Sequence, residues 1–114
     1  MNDISPAKLE LIKAQHAREA GNEGMARVCA RRASGFAIRE YLDNNGNENL
    51  TIPLNKLFKD EEIRSVLPAS ITSSLDHLTV RVDMAFTIPQ DIDLIADACK
   101  IIEVLSHQDG RNSG

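Results

Sequence analysis

Arg27, Arg31, Arg32 and Arg39 fall within one short run and form the densest set of chemistry-bearing side chains in the sequence. A guanidinium is a planar, multidentate donor suited to phosphate or carboxylate. At helical spacing Arg27 and Arg31 lie one turn apart on one flank, and Arg32 and Arg39 two turns apart on the other. They are the candidate ligand- or phosphate-binding residues. Against that reading stands plain surface charge, because Glu23 and Glu40 are placed to pair with them along a helix. The remaining candidates are sparser. His16, His77 and His107 are far apart, and each reads first as a structural or surface imidazole. Asp93 and Asp97, one turn apart, offer two carboxylates to a divalent cation, but spacing supplies no third ligand and a solvated acidic face is expected. Cys29 and Cys99 have no zinc-ligand partner nearby and sit at apolar positions, where a thiol behaves as a small hydrophobe. No catalytic residue, metal or cofactor is predicted, and the chain is not expected to be an enzyme.

The arginines belong to the longest stretch that reads as one helix, residues 22–43. Met25, Val28, Cys29, Ala33, Phe36, Ala37 and Tyr41 recur at spacings of three and four, which predicts a common buried face. Asn22 is the expected N-cap, Glu23 suits the positive end of the helix dipole, and Asn44-Asn45-Gly46 is a stop. Gly35 inside the helix suggests close packing. Before it, Ser5-Pro6 opens a helix over residues 6–20, with Leu9, Ile12, His16 and Glu19 on one side and Leu11 and Ala20 nearby, and Gly21 is the expected left-handed stop. So short a connection makes the two helices an antiparallel hairpin.

Residues 43–55 are rich in Asn and Gly and read as loop, with room for a brief extended piece at 50–52. Residues 54–66 suit one or two short helical turns, the acids Asp60, Glu61 and Glu62 clustering at a helix start. Pro68 ends that piece and begins a helix over 68–82, with Ile71, Leu75, Leu78 and Val82 buried. The stretch 79–86 alternates in a way that also fits a strand. The last helix is predicted from Pro89 to about Ser106. It has two apolar stripes, Ile88, Ile92, Ile95, Cys99 and Ile102 beside Leu94, Ala98, Ile101 and Leu105. So wide an arc is packed on two sides within the bundle or meets another chain, and Asp93, Asp97, Lys100 and Glu103 are left to face water. Residues 1–107 are read as one domain and 108–114 as a disordered tail.

Composition agrees with an all-α fold. At 114 residues the chain suits one domain, and with 42% hydrophobic, 26% charged and only 4% aromatic residues its core is aliphatic. The formal charge of −4 argues against a dedicated nucleic-acid binder. It is unevenly spread: residues 1–43 sum to +1 and residues 44–114 to −5, so the early helices can still present a local basic patch. No window reaches the length of a membrane span and no leader pattern opens the sequence, so a cytoplasmic location is the default.

The run ARVCARRASGFAIREYL, preceded by HAREAGN and followed at the far end by IPQDIDLIADACKIIEVL, resembles the HEPN superfamily of small helical-bundle proteins. The resemblance implies an up-and-down bundle of four to five helices, two long and antiparallel at the start, short ones in the middle and a long one at the end. It also implies frequent homodimerisation, and roles ranging from ribonuclease toxins to non-catalytic partners of nucleotidyltransferases. Ribonuclease members carry an arginine followed after four to six residues by a histidine. No arginine here has a histidine at that separation, and Lys100 with His107 is the nearest imitation. Three readings follow in order: a non-catalytic domain acting through self-association, as a dimer, and through a protein partner; an RNA- or nucleotide-binding protein using Arg27, Arg31, Arg32 and Arg39; and a degenerate HEPN ribonuclease.

Overall fold

The computed structural model describes residues 5–46, 53–79 and 92–111, with the side chains of 54–55 and 107–111 outside that description. The order is α1 (Pro6–Glu19), α2 (Glu23–Asn44), α3 (Leu54–Leu57), α4 (Glu61–Val66), a 3-10 turn (Ala69–Ile71) leading into α5 (Thr72–Leu78), and α6 (Leu94–Arg111). It is an all-α bundle, with no strand among the described residues.

Local chemistry sets most boundaries. Ser5 Oγ accepts from the Lys8 amide at 3.2 Å, with Pro6 at the first helical position. At the other end of α1, Gly21 takes φ +82°. The Gly21 amide then donates to the Arg18 carbonyl and the Asn22 amide to the Ala17 carbonyl, the paired bonds of a Schellman stop. Asn22 ends this turn and caps α2, its Oδ1 accepting from the Met25 amide at 3.1 Å. Asp60 caps α4 through the Ile63 amide at 3.0 Å. Asp93 caps α6, its Oδ1 accepting from the Ile95 and Ala96 amides at 3.1 and 3.3 Å.

α1 and α2 pack as the expected hairpin, and α6 lies across both while α5 and the 3-10 turn cover another side of α6. Most of the apolar arc of α6 is therefore covered inside the molecule: Leu94, Ile95, Ala98, Ile101, Ile102 and Leu105 are buried and Ile92 and Cys99 half-buried, while Ile88 lies outside the described residues. Ile38 and Leu42 of α2, Leu57 and Phe58 at the end of α3, Ile63 and Leu67, and Ile71, Leu75 and Leu78 add to the core.

The hairpin corrects the sequence reading. α1 buries Ala7, Glu10 and Ala14, while Leu9 and Ile12, expected inside, are exposed. α2 buries Ala26, Cys29, Ala30, Ala33, Ser34, Gly35, Ala37, Ile38 and Leu42. Of the face predicted for it, Cys29, Ala33 and Ala37 are buried and Tyr41 is half-buried, whereas Met25, Val28 and Phe36 are exposed. Small residues let helix axes approach to the short end of the roughly 8–10 Å range, and larger ones on that side would hold them apart. The Ser34 hydroxyl donates to the Ala30 carbonyl one turn back at 3.0 Å, so its burial leaves the hydroxyl paired.

Three further differences concern the second half. The helix expected over 68–82 is a 3-10 turn followed by α5, and Val82 lies outside the described residues, as do the extended piece at 50–52, most of the ambiguous 79–86 stretch, and Ile88 and Pro89. α6 runs to Arg111, past the end expected near Ser106, because no proline or left-handed residue interrupts it. Asp97, expected in water, is largely covered, with 12% of its side chain exposed.

Candidate functional site

The arginine set does not converge. Arg31 is half-buried and its Nε donates to the Leu78 carbonyl at 3.3 Å, fastening α2 to the end of α5. Burial lowers its pKa, and the neighbouring charge of Arg27 acts in the same direction. Arg27 also stands near enough to Glu23 to stabilise its carboxylate. Arg32 is exposed and Arg39 half-buried. On the α2 helix Arg32 and Arg39 project from the same outward side as Met25, Val28 and Phe36, and Arg27 and Arg31 from a different one. The four residues thus do not form one site: Arg31 is tied to α5, and on the other flank Arg32 is exposed while Arg39 has its Nε buried.

Glu23 pairs across the turn rather than with the arginines of its own helix. Arg18 Nε and Nη2 donate to its two carboxylate oxygens at 3.1 and 2.6 Å, while Arg18 Nη1 donates to both oxygens of Asp93 at 3.0 and 3.1 Å. One guanidinium therefore ties the end of α1 to the starts of α2 and α6. The bond from Arg18 holds the Glu23 carboxyl below its usual value. Burial tends to raise the Asp93 carboxyl, but Arg18 and the Ala96 and Ile95 amides outweigh it, so Asp93 too lies below the ordinary carboxylate range. Arg18 itself is raised, chiefly by Glu23. Arg64 joins the middle of the chain in a similar way, its Nε donating to the Phe58 carbonyl and its Nη1 to Asp76 Oδ1, both at 2.7 Å.

These engagements bear on the cation reading of Asp93 and Asp97. Asp93 is bonded to Arg18 and the α6 amides, while Asp97 bonds residues of α5. Among the described residues no group of three or more His, Cys, Asp and Glu side chains is arranged to hold a metal ion.

Two arrangements remain with chemistry to offer. The first is the outward side of the hairpin, remote from α6. Leu9, Ile12, Met25, Val28 and Phe36 are 38–46% exposed there. At the seam between the helices, Glu10, Lys13 and Arg32 surround Cys29, whose thiol pKa is raised by burial and then by the Glu10 carboxylate. Glu10 is buried, with Lys13 Nζ 3.4 Å from its Oε2. Leu9 and Lys13 lie one turn apart on α1, and Arg32 is one turn from both Val28 and Phe36 on α2, so apolar groups flank this charged seam on each side. His16, expected among packing residues, is exposed.

The second is a trio that sequence spacing did not bring together. His77 Nδ1 lies 2.9 Å from Asp97 Oδ2, and the Ser74 hydroxyl donates to Asp97 Oδ1 at 3.0 Å. Ser74 and His77 share one side of α5, and that side docks on α6 where Asp97 interrupts the apolar arc. Asp97 is the acceptor for both, so Ser74 is not activated by His77. The visible signal was weak: Ser-x-x-His on one helical face, and one acid inside a run of apolar residues. Lys100 is exposed, and its candidate companion His107 has its side chain outside the described residues.

Compared with protein-family models, with curated sequences and with solved structures, the chain matches none. Among the described residues no helix is long and apolar enough to cross a membrane.

Proposed function

We propose that the chain is a non-catalytic, HEPN-like helical domain that acts by associating with itself and with a protein partner through the outward side of the α1–α2 hairpin. The observation that carries this is the exposure of Leu9, Ile12, Met25, Val28 and Phe36 while the same helices bury alanines. Grouped exposed apolar side chains beside charge are typical of interaction surfaces. The apolar arc of α6 carries less of the reading, since its described part is mostly covered from within.

A second copy is the favoured occupant because the chain carries its own complement. Lys13 and Arg32 stand on the hairpin face, and Glu61, Glu62 and Val66 are exposed on α4, Val66 at 46% and one turn from Glu62. A two-fold pairing of each hairpin with the partner's α4 would make every such contact twice. Sedimentation equilibrium over a wide concentration range tests it. The expected result is reversible dimerisation that Val28→Glu and Phe36→Glu each abolish with helical content unchanged. Arg32→Glu should weaken the dimer and Arg32→Glu with Glu62→Arg should restore it. A wild-type chain that stays monomeric at every concentration overturns self-association.

A further inference from the structure

We propose that His77 is a phosphoryl-accepting residue, with Nε2 the nucleophile and Asp97 its positioning residue. The arrangement is asymmetric in the way such chemistry requires. Asp97 Oδ2 faces Nδ1 at 2.9 Å, and because a carboxylate only accepts, the uncharged form of the ring carries its proton on Nδ1 and its lone pair on Nε2. The Ser74 hydroxyl occupies the other carboxylate oxygen, so the carboxylate cannot swing away from the ring without breaking a second bond. The His77 side chain is 35% exposed against 12% for Asp97, so the tethered edge is covered while the ring as a whole reaches the surface. Among the described residues Nε2 has no hydrogen-bond partner.

The same geometry favours acceptance over turnover. Among the described residues no acid, base or oxyanion donor is bonded near Nε2 to activate water or protonate a leaving group. What the site offers is an oriented nucleophile and a carboxylate that offsets the charge formed on the ring. Nε2 attacks phosphorus and the Nε2–P bond forms as the bond from phosphorus to the donor's leaving group breaks, that group departing with the electron pair. The ring is left cationic, its Nδ1 proton still shared with Asp97. With phosphoramidate the leaving group is ammonia. The natural donor would be a similarly labile group, of the acyl phosphate class.

The experiment treats the full chain with phosphoramidate and maps acid-labile, base-stable phosphate by peptide mass spectrometry against time. His16 is the internal control, an exposed histidine on α1 for which no carboxylate partner is found among the described residues. His77 should label faster than His16 by roughly tenfold, taking as the scale the lower end of what losing a carboxylate partner costs a metal-bound histidine. Asp97→Asn should remove most of that advantage, and His77→Gln should leave only the slow background. Equal rates at His77 and His16 in the wild-type chain overturn the proposal without recourse to any variant. So would an undiminished His77 rate in Asp97→Asn of unchanged circular dichroism.

Discussion

α6 and the α1–α2 hairpin solve the same problem in opposite ways. α6 places its large apolar side chains, Leu94, Ile95, Ile101, Ile102 and Leu105, inside and exposes Lys100 and Glu103. The hairpin buries mostly alanine, serine and glycine, with Ile38 and Leu42 of α2 as its large core residues, and shows Leu9, Met25, Val28 and Phe36 to the outside. Both helices of the hairpin and α6 contribute to one core, so the contrast is not one of stability alone. Packing α6 demands bulk to fill the space between two neighbours, whereas packing α1 on α2 demands closeness. The large residues excluded by closeness are then available for another surface.

Substitutions that exchange these roles should differ most in effect. Ile101 is fully buried, and Ile101→Ala should cost about 2–5 kcal/mol in urea unfolding, from lost burial and the cavity it leaves. In the hairpin the expensive change runs the other way. Ala33 is also fully buried, and Ala33→Leu should cost about 1–3 kcal/mol by forcing the helices apart. An insensitive Ala33 would show that the closeness of the hairpin is not the organising constraint.

Where the two regions meet, Asp93 caps α6 and receives Arg18 from α1. Asp93→Ala should cost about 1 kcal/mol at neutral pH, mostly as a lost cap, since exposed ion pairs add little. The Asp93 and Glu23 carboxyls are both held below their ordinary values. The stability they contribute is therefore present above the unfolded-state value near pH ~4 and is lost as pH falls through the lower folded-state value. Thermal melts in acid should show the wild-type advantage over Asp93→Ala shrinking with falling pH. An advantage that grew would contradict the arrangement around Arg18. Smallest of all, Met25→Ala and Phe36→Ala should change the stability of dilute protein by less than about 0.5 kcal/mol. Losses comparable to that of Ile101→Ala would place them in the core.

Element boundaries could be read from local chemistry, because Ser5-Pro6, Gly21, Asn22 and Asp60 act on amides a few residues away. The inward face of the hairpin could not. Periodicity weights Leu, Met and Phe above Ala, and in α1 and α2 the two sides differ little in apolarity once alanines are inside. In α6 the contrast is strong, and its apolar stripes were legible, though not how far each is covered within the chain. The arginines were visible as a cluster and their two flanks followed from helical spacing, but the hold of Arg31 on the Leu78 carbonyl depends on where α5 lies. The pairing of His77 with Asp97 was hidden for the same reason: it spans two helices, and only their docking brings the groups together.

Hydroxyl-radical footprinting at several protein concentrations tests the central contrast most directly, with Met25 and Phe36 as reporters of the outward face and Phe58, 3% exposed, as the core reference. In dilute solution Met25 and Phe36 should be oxidised readily and Phe58 little, and their protection should rise with concentration as hairpin faces are covered. Met25 and Phe36 protected at every dilution, or oxidised equally at every concentration, would contradict the account.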